Sequence, residues 1–167
     1  MEPLWTPWRM SYIQAIKSGG GCVFCDEVLH DGADLVLVIH RGRHAFVVLN
    51  LYPYTTGHLM VVPYRHVASL ADLRAEEAEE ATRLLQQAER AVEAAFAVRQ
   101  HHVGINLGRC AGAGVEGHLH IHLVPRARPH AGRPFDAPVV EAPPPLTETR
   151  DRLAAAWNLV AAHSATS

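Results

Sequence analysis

GHLHIHLVPR, residues 117–126, alternates ring and aliphatic side chains, with His118, His120 and His122 at one parity and Leu119, Ile121 and Leu123 at the other. Successive side chains of an extended chain point to opposite faces, so the pattern predicts a β-strand with an apolar core face and imidazoles spaced about 6.6 Å apart. Three polar rings have no hydrophobic reason to share one strand face, and chemistry is expected of them. A His-x-His pair can ligate zinc with a third ligand from elsewhere. A histidine row can also bind successive phosphate oxygens, or one imidazole can act as a nucleophile at phosphorus and split a hard displacement into two easier ones. The residue types alone leave these three uses open.

Working outward, LVLVIH at 35–40 and HAFVVLN at 44–50 flank Arg41-Gly42-Arg43 and read as a β-hairpin. After the turn-forming LYPYTTG, HLMVVP at 58–63 predicts a third strand ended by Pro63. Between residues 75 and 98 the period changes to helical: Ala81, Leu84, Leu85, Ala88, Ala91, Val92, Ala95 and Phe96 recur at three- and four-residue steps. Glu76, Glu77, Glu79 and Glu80 crowd the first turns, where the helix dipole favours negative charge, and Ser69 and Asp72 suit the cap of a short preceding turn. VGINLG at 103–108 predicts another strand, followed by a Gly/Ala loop into the histidine strand. A proline-rich stretch then leads to helical spacing over 148–162 through Leu153, Trp157 and Val160. About five short strands, one long helix and one terminal helix predict an α+β fold with a mostly antiparallel sheet.

The 167 residues suit one domain with a single core. With 15 basic and 17 acidic residues, the chain has no field to hold long nucleic acid. No run reaches the ~18 apolar residues of a membrane span, and the N-terminus lacks a basic start followed by an apolar core, so a cytoplasmic protein is expected. Of three cysteines, Cys22 and Cys25 form a Cys-x-x-Cys pair, which in a reducing compartment suggests metal or redox chemistry. Cys110 stands apart and reads as a plain buried small residue.

His118-Leu119-His120-Ile121-His122-Leu123-Val124 matches the His-φ-His-φ-His-φ-φ signature (φ apolar) of the histidine-triad (HIT) family of nucleotide hydrolases and transferases, which this chain resembles. Cys22-Val23-Phe24-Cys25, the segment from Gly57-His58 to Pro63-Tyr64-Arg65-His66, the intervening helix and Pro125-Arg126 fall in family order, so the resemblance covers roughly residues 20–126. It implies a HIT-like five-stranded sheet and a HIT domain at 21–130; composition adds an N-terminal arm at 1–20, rich in Trp, Pro and Gly, and a proline-rich tail with a C-terminal helix packed on the same domain at 131–167.

The same resemblance implies that His120 attacks the α-phosphorus of a nucleotide to form a nucleotidyl-histidine, with His122 donating to nonbridging oxygens and His118 completing the catalytic row. Asn50 matches a ribose-holding position, Asn106 an amide near the α-phosphate, and the loop including Gly112, Ala113 and Gly114 a place where backbone N–H groups approach phosphate. His58, facing the same side as Met60 and Val62, matches a position near the site. Several bacterial members bind structural zinc through Cys22, Cys25, His66 and His118, all present here, and a divalent cation can accompany the nucleotide.

Two positions depart from the pattern. Val115 stands where most members have a Ser or Thr that donates near the leaving group, and Ala127 where the bacterial branch resembling diadenosine tetraphosphate phosphorylases has Trp. The expected function is nucleotidyl transfer from a dinucleoside polyphosphate to water or inorganic phosphate, in a homodimer acting on small-molecule nucleotides. The alternatives are a noncatalytic nucleotide-binding or scaffold protein of the same fold, and a histidine metalloenzyme of unrelated fold.

Overall fold

A computed structural model describes residues 21–25, 37–126 and 144–164. The expected arm at 1–20, Ala127 and most of the proline-rich stretch lie outside the described residues. The architecture is the expected α+β fold. Strands β1 (Val38–Arg41), β2 (Ala45–Leu49), β3 (Leu59–Pro63), β4 (His101–Gly104) and β5 (Ile121–Pro125) form one sheet in the order β1-β2-β3-β5-β4, every neighbouring pair antiparallel. Helix α1 (Ala75–Phe96) crosses between β3 and β4, and α2 (Leu146–Ser164) follows β5. No described helix is long and apolar enough to cross a membrane.

The β1–β2 hairpin is closed by the Gly42 N–H donating to Ala45 O at 2.9 Å, and it is anchored from α1. Glu80 accepts from the main-chain N–H groups of Arg43 (3.0 Å), His44 and Ala45 (3.2 Å). A Cβ on Gly42 would lie 2.7 Å from Ala45 O and 2.9 Å from Glu80 Oε1, so this turn requires glycine. Glu77 is likewise buried, accepting from the Arg65 guanidinium and from the Arg74 N–H at the start of α1. The acidic run therefore does more than answer the helix dipole: two of its four carboxylates tie α1 to the turns around it.

Helix α1 buries Ala81, Leu84, Ala88, Ala91 and Val92 of the predicted stripe against the sheet, with Leu85, Ala95 and Phe96 half-buried at its edges. It ends at Phe96, two residues before the expected 98, because Ala97 turns left-handed (φ 57°) and its N–H closes on Glu93 O. A Cβ on Gly57 would meet both the Phe96 ring and the Pro125 side chain, so α1 covers the face carrying Pro125, Leu123 and Ile121. His122, of opposite parity, projects from the other face.

Helix α2 packs on α1 and β1. It buries Leu153, Ala156 and Trp157, with Trp157 stacked 4.8 Å from the His40 ring, while Arg152 donates to Ala95 O at the end of α1.

Three local expectations need correction. The strand expected at 103–108 lies at 101–104, because its partner β5 begins at Ile121 and Gly104, opposite His122, is the last residue with a neighbour. For the same reason His118 and His120 precede the regular ladder, His118 at a bend, although both rings contact Phe24 and the Leu119 N–H donates to Val67 O at 2.6 Å. Cys110 is exposed, because it sits in a 3-10 turn, Arg109–Ala111, on the loop outside the core.

Candidate active site and metal centre

The first triad histidine has its proton placed by the fold. His118 Nε2 lies 2.8 Å from Pro63 O, and a carbonyl only accepts, so Nε2 carries the hydrogen and Nδ1 the lone pair. That bare Nδ1 faces Cys22 Sγ at 3.2 Å and Cys25 Sγ at 3.6 Å, and His66 Nδ1 lies 3.4 Å from Cys25 Sγ. Ligand atoms of Cys22, Cys25, His66 and His118 all fall within 4.8 Å of one another. A tetrahedron with Zn–S of about 2.3 Å and Zn–N of about 2.1 Å spaces its corners by roughly 3.4–3.8 Å, so two sulfurs and two imidazoles at these separations fit zinc. The Pro63 hydrogen bond is the outer contact that orients a ligating imidazole. Gly117 adds room, since a Cβ there would come within 3.3 Å of His66 Nε2.

His120 is set by its neighbour. Its Nδ1–H donates to the main-chain oxygen of His118 at 2.8 Å, which leaves the Nε2 lone pair uncommitted by that bond. Burial, including the Phe24 ring 5.1 Å away, lowers its pKa against the smaller opposing effect of the His118 carbonyl. The ring is therefore a neutral base at pH 7.

His122 sits 4.9 Å from His120, ring to ring and nearly perpendicular, and belongs to a second chain of donors. The Tyr54 N–H donates to His58 Nδ1 at 3.2 Å, so the His58 hydrogen is on Nε2, and that nitrogen lies 3.0 Å from His122 Nδ1. A neutral His122 then carries its own hydrogen on Nε2. His58 is fully buried, and Asn50 joins the same group: its Oδ1 accepts from Tyr52 N–H at 2.9 Å and its Nδ2 comes within 3.3 Å of His58 Nε2.

The fold thus brings together His118, Cys22, Cys25 and His66 on one side of the triad, and His122, His58 and Asn50 on the other, with His120 between. Other expected contacts are looser. Asn106 is half-buried just beyond β4. Gly112, Ala113 and Gly114 form a turn in which Gly112 and Ala113 donate to Arg109 O and Gly108 O, with Arg109 and Glu116 paired across it. Among the described residues, no hydrogen bond joins these four to the histidines. Val115 packs against the edge of the core, and its side chain offers no donor. The sequence gives His58 too little weight and no reason to single out Tyr54. The signals for His58 are a match to a family position near the site and the shared parity of His58 and Met60, and the latter needs the β3–β5 register (Met60 opposite His122) to acquire meaning.

The HIT domain matches residues 36–129. A Mycobacterium tuberculosis (strain H37Rv) protein named AP-4-A phosphorylase is 39% identical over 133 residues, 75% of this chain and 68% of the relative. A Schizosaccharomyces pombe bis(5'-nucleosyl)-tetraphosphatase [asymmetrical] is 31% identical over 91 residues, 54% of this chain and 50% of the relative. A crystal structure of a Zn-bound histidine triad family protein from Mycobacterium smegmatis superimposes with a TM-score of 0.69 at 26% identity, covering 86% of this chain and 97% of that one.

Proposed function

The chain belongs to the HIT domain family, and on that premise we propose that it is an enzyme transferring a nucleoside monophosphate from a dinucleoside polyphosphate, through His120, to water or inorganic phosphate. The observation that carries this reading is the bond from His120 Nδ1 to His118 O, which leaves Nε2 as the basic nitrogen of a neutral ring. In the first step the Nε2 lone pair forms a bond to the α-phosphorus while the P–O bond to the departing nucleotide breaks, its electron pair leaving on that oxygen. In the second, an oxygen of water or phosphate attacks the same phosphorus, the P–N bond breaks with its electron pair returning to Nε2, the neutral imidazole is regenerated, and an attacking water gives its proton to solvent. The His122 Nε2–H donates to the nonbridging oxygens, where charge gathers in each transition state. Asn50 holds the ribose, and Asn106 with the 112–114 turn lies toward the phosphates.

Cys22, Cys25, His66 and His118 would hold a zinc ion whose chemistry is that of a structural cross-link, pinning the 22–25 turn to the start of the histidine strand. A divalent cation accompanying the nucleotide is compatible with this scheme. The edge strand β4, with Val103 exposed, supports pairing with a second copy. The enzyme acts on small-molecule nucleotides in the cytoplasm.

Incubation with labelled diadenosine tetraphosphate should place one nucleotidyl group on His120, found by peptide mass analysis, and His120→Ala should abolish turnover. Full turnover by that variant sinks the mechanism. Products ADP with ATP on adding phosphate mean phosphorolysis; AMP with ATP means hydrolysis. Val115 favours a second reading, a noncatalytic nucleotide-binding protein, which would show nucleotide affinity with no turnover of any dinucleoside polyphosphate.

A further inference from the structure

Segment 50–57 folds over His58 from two directions. The Tyr54 main-chain N–H reaches Nδ1 at 3.2 Å, and the Tyr54 ring lies 5.1 Å from the imidazole, centre to centre, at 19° from parallel. A peptide N–H can only donate, so Nδ1 must be the lone-pair nitrogen; a hydrogen there would set two donors against each other in a fully buried position. The His58 proton is thereby confined to Nε2. Among the described residues, two groups approach that nitrogen: Asn50 Nδ2, which cannot accept and stands off at 3.3 Å because its Oδ1 is engaged by Tyr52, and His122 Nδ1, which can accept and lies closer, at 3.0 Å.

Resting on the reading of His122 as the donor to the phosphate oxygens, we propose that Tyr54 is a positioning residue that fixes the tautomer of His58, and through it the nitrogen on which His122 carries its hydrogen. Any residue other than proline supplies an N–H at position 54. The tyrosine ring adds a flat face against one side of the imidazole, holding the segment at hydrogen-bonding distance and keeping water from Nδ1. Without it His58 samples both tautomers, and His122 turns a lone pair instead of a hydrogen toward the charge forming on phosphate for part of the time.

The test combines ring ¹⁵N spectra of the zinc-replete, nucleotide-free protein with steady-state kinetics on diadenosine tetraphosphate, for the wild type, Tyr54→Ala and Tyr54→Phe. His58 should be a single Nε2–H tautomer in the wild type and in Tyr54→Phe, and a mixture in Tyr54→Ala. In Tyr54→Ala, kcat should fall about tenfold with KM within about twofold, and Tyr54→Phe should restore most of the rate. If the alanine variant does not fold, Tyr54→Leu, which keeps apolar volume without a flat face, carries the same expectation. A wild-type His58 protonated on Nδ1, an alanine variant with unchanged tautomer or kcat, or a phenylalanine variant as impaired as alanine overturns the assignment. The spectra need no substrate, so failure of the nucleotidyl-transfer reading, seen as turnover surviving His120→Ala, is distinguishable from failure of this one.

Discussion

The main-chain oxygen of His118 accepts the Nδ1–H of His120 at 2.8 Å, while the side chain of the same His118 turns its bare Nδ1 to the Cys22 and Cys25 sulfurs. One residue therefore joins the candidate metal site to the proposed nucleophile: whatever fixes the His118 ring also fixes the carbonyl that sets the His120 tautomer. Purified protein should hold about one zinc per chain by elemental analysis, and Cys22→Ser should lose most of it. The variant should also melt earlier and turn over more slowly, because the 22–25 turn, which brings Phe24 against both His118 and His120, is no longer pinned. A zinc-free variant with unchanged melting and rate would separate the two sites.

The His58–His122 contact makes a prediction of its own. His58→Phe keeps an aromatic ring in the buried position but removes the N–H that His122 Nδ1 accepts. We expect kcat to fall by about a hundredfold, the scale of losing a positioned proton donor, with KM little changed. A rise in KM at constant kcat would mean that His58 shapes nucleotide binding rather than the phosphate donor.

The histidine row is legible in the chain because it depends on alternation, and the residues around it are legible through the family motifs. Alternation marks the histidine strand, continuous apolar runs broken at Gly42 and Pro63 mark β2 and β3, and the helical stripe marks α1, since each is decided by which side chains must avoid water. The start of β4 was misplaced because His101 and His102 carry no apolar signal; they are strand residues only because Val124 and Pro125 lie opposite. Glu80 looked like a dipole-favoured surface carboxylate, since nothing local reveals that a hairpin 35 residues earlier brings three N–H groups to it. The Tyr54–His58–His122 chain was hidden for the same reason. It exists only in the β3–β5 register.

Glu80 should be among the most sensitive positions outside the site. Burial opposes its ionisation, yet the N–H groups of Arg43, His44 and Ala45 outweigh that cost and hold its carboxyl below the usual range. Glu80→Gln exchanges one acceptor oxygen for a donor facing those N–H groups and should cost about 2 kcal/mol, lowering Tm by roughly 4–8 °C in thermal denaturation. Arg83→Ala, which removes only the exposed ion-pair partner, should cost less than about 0.5 kcal/mol. Equal losses in the two variants would place the anchor in the ion pair instead of the hairpin.

Glu77 gives the fold an acid-side dependence whose sign follows from its partners. The Arg65 guanidinium, hydrogen-bonded at 2.6 and 2.9 Å, holds the carboxyl down from 4.5 to about 2, and the Arg74 N–H adds to this. Because the folded-state pKa is depressed, the unfolded chain takes up the proton first as pH falls. The stabilisation is complete above about pH 4.5, declines as pH drops below it, and is gone near pH 2. With the guanidinium partly in water, its size is on the order of 1–2 kcal/mol. Urea titrations from pH 6 to pH 2 should therefore show the wild type losing stability relative to Glu77→Gln, the two curves converging at the acid end. Parallel curves over that range would mean that Glu77 is not the group responsible.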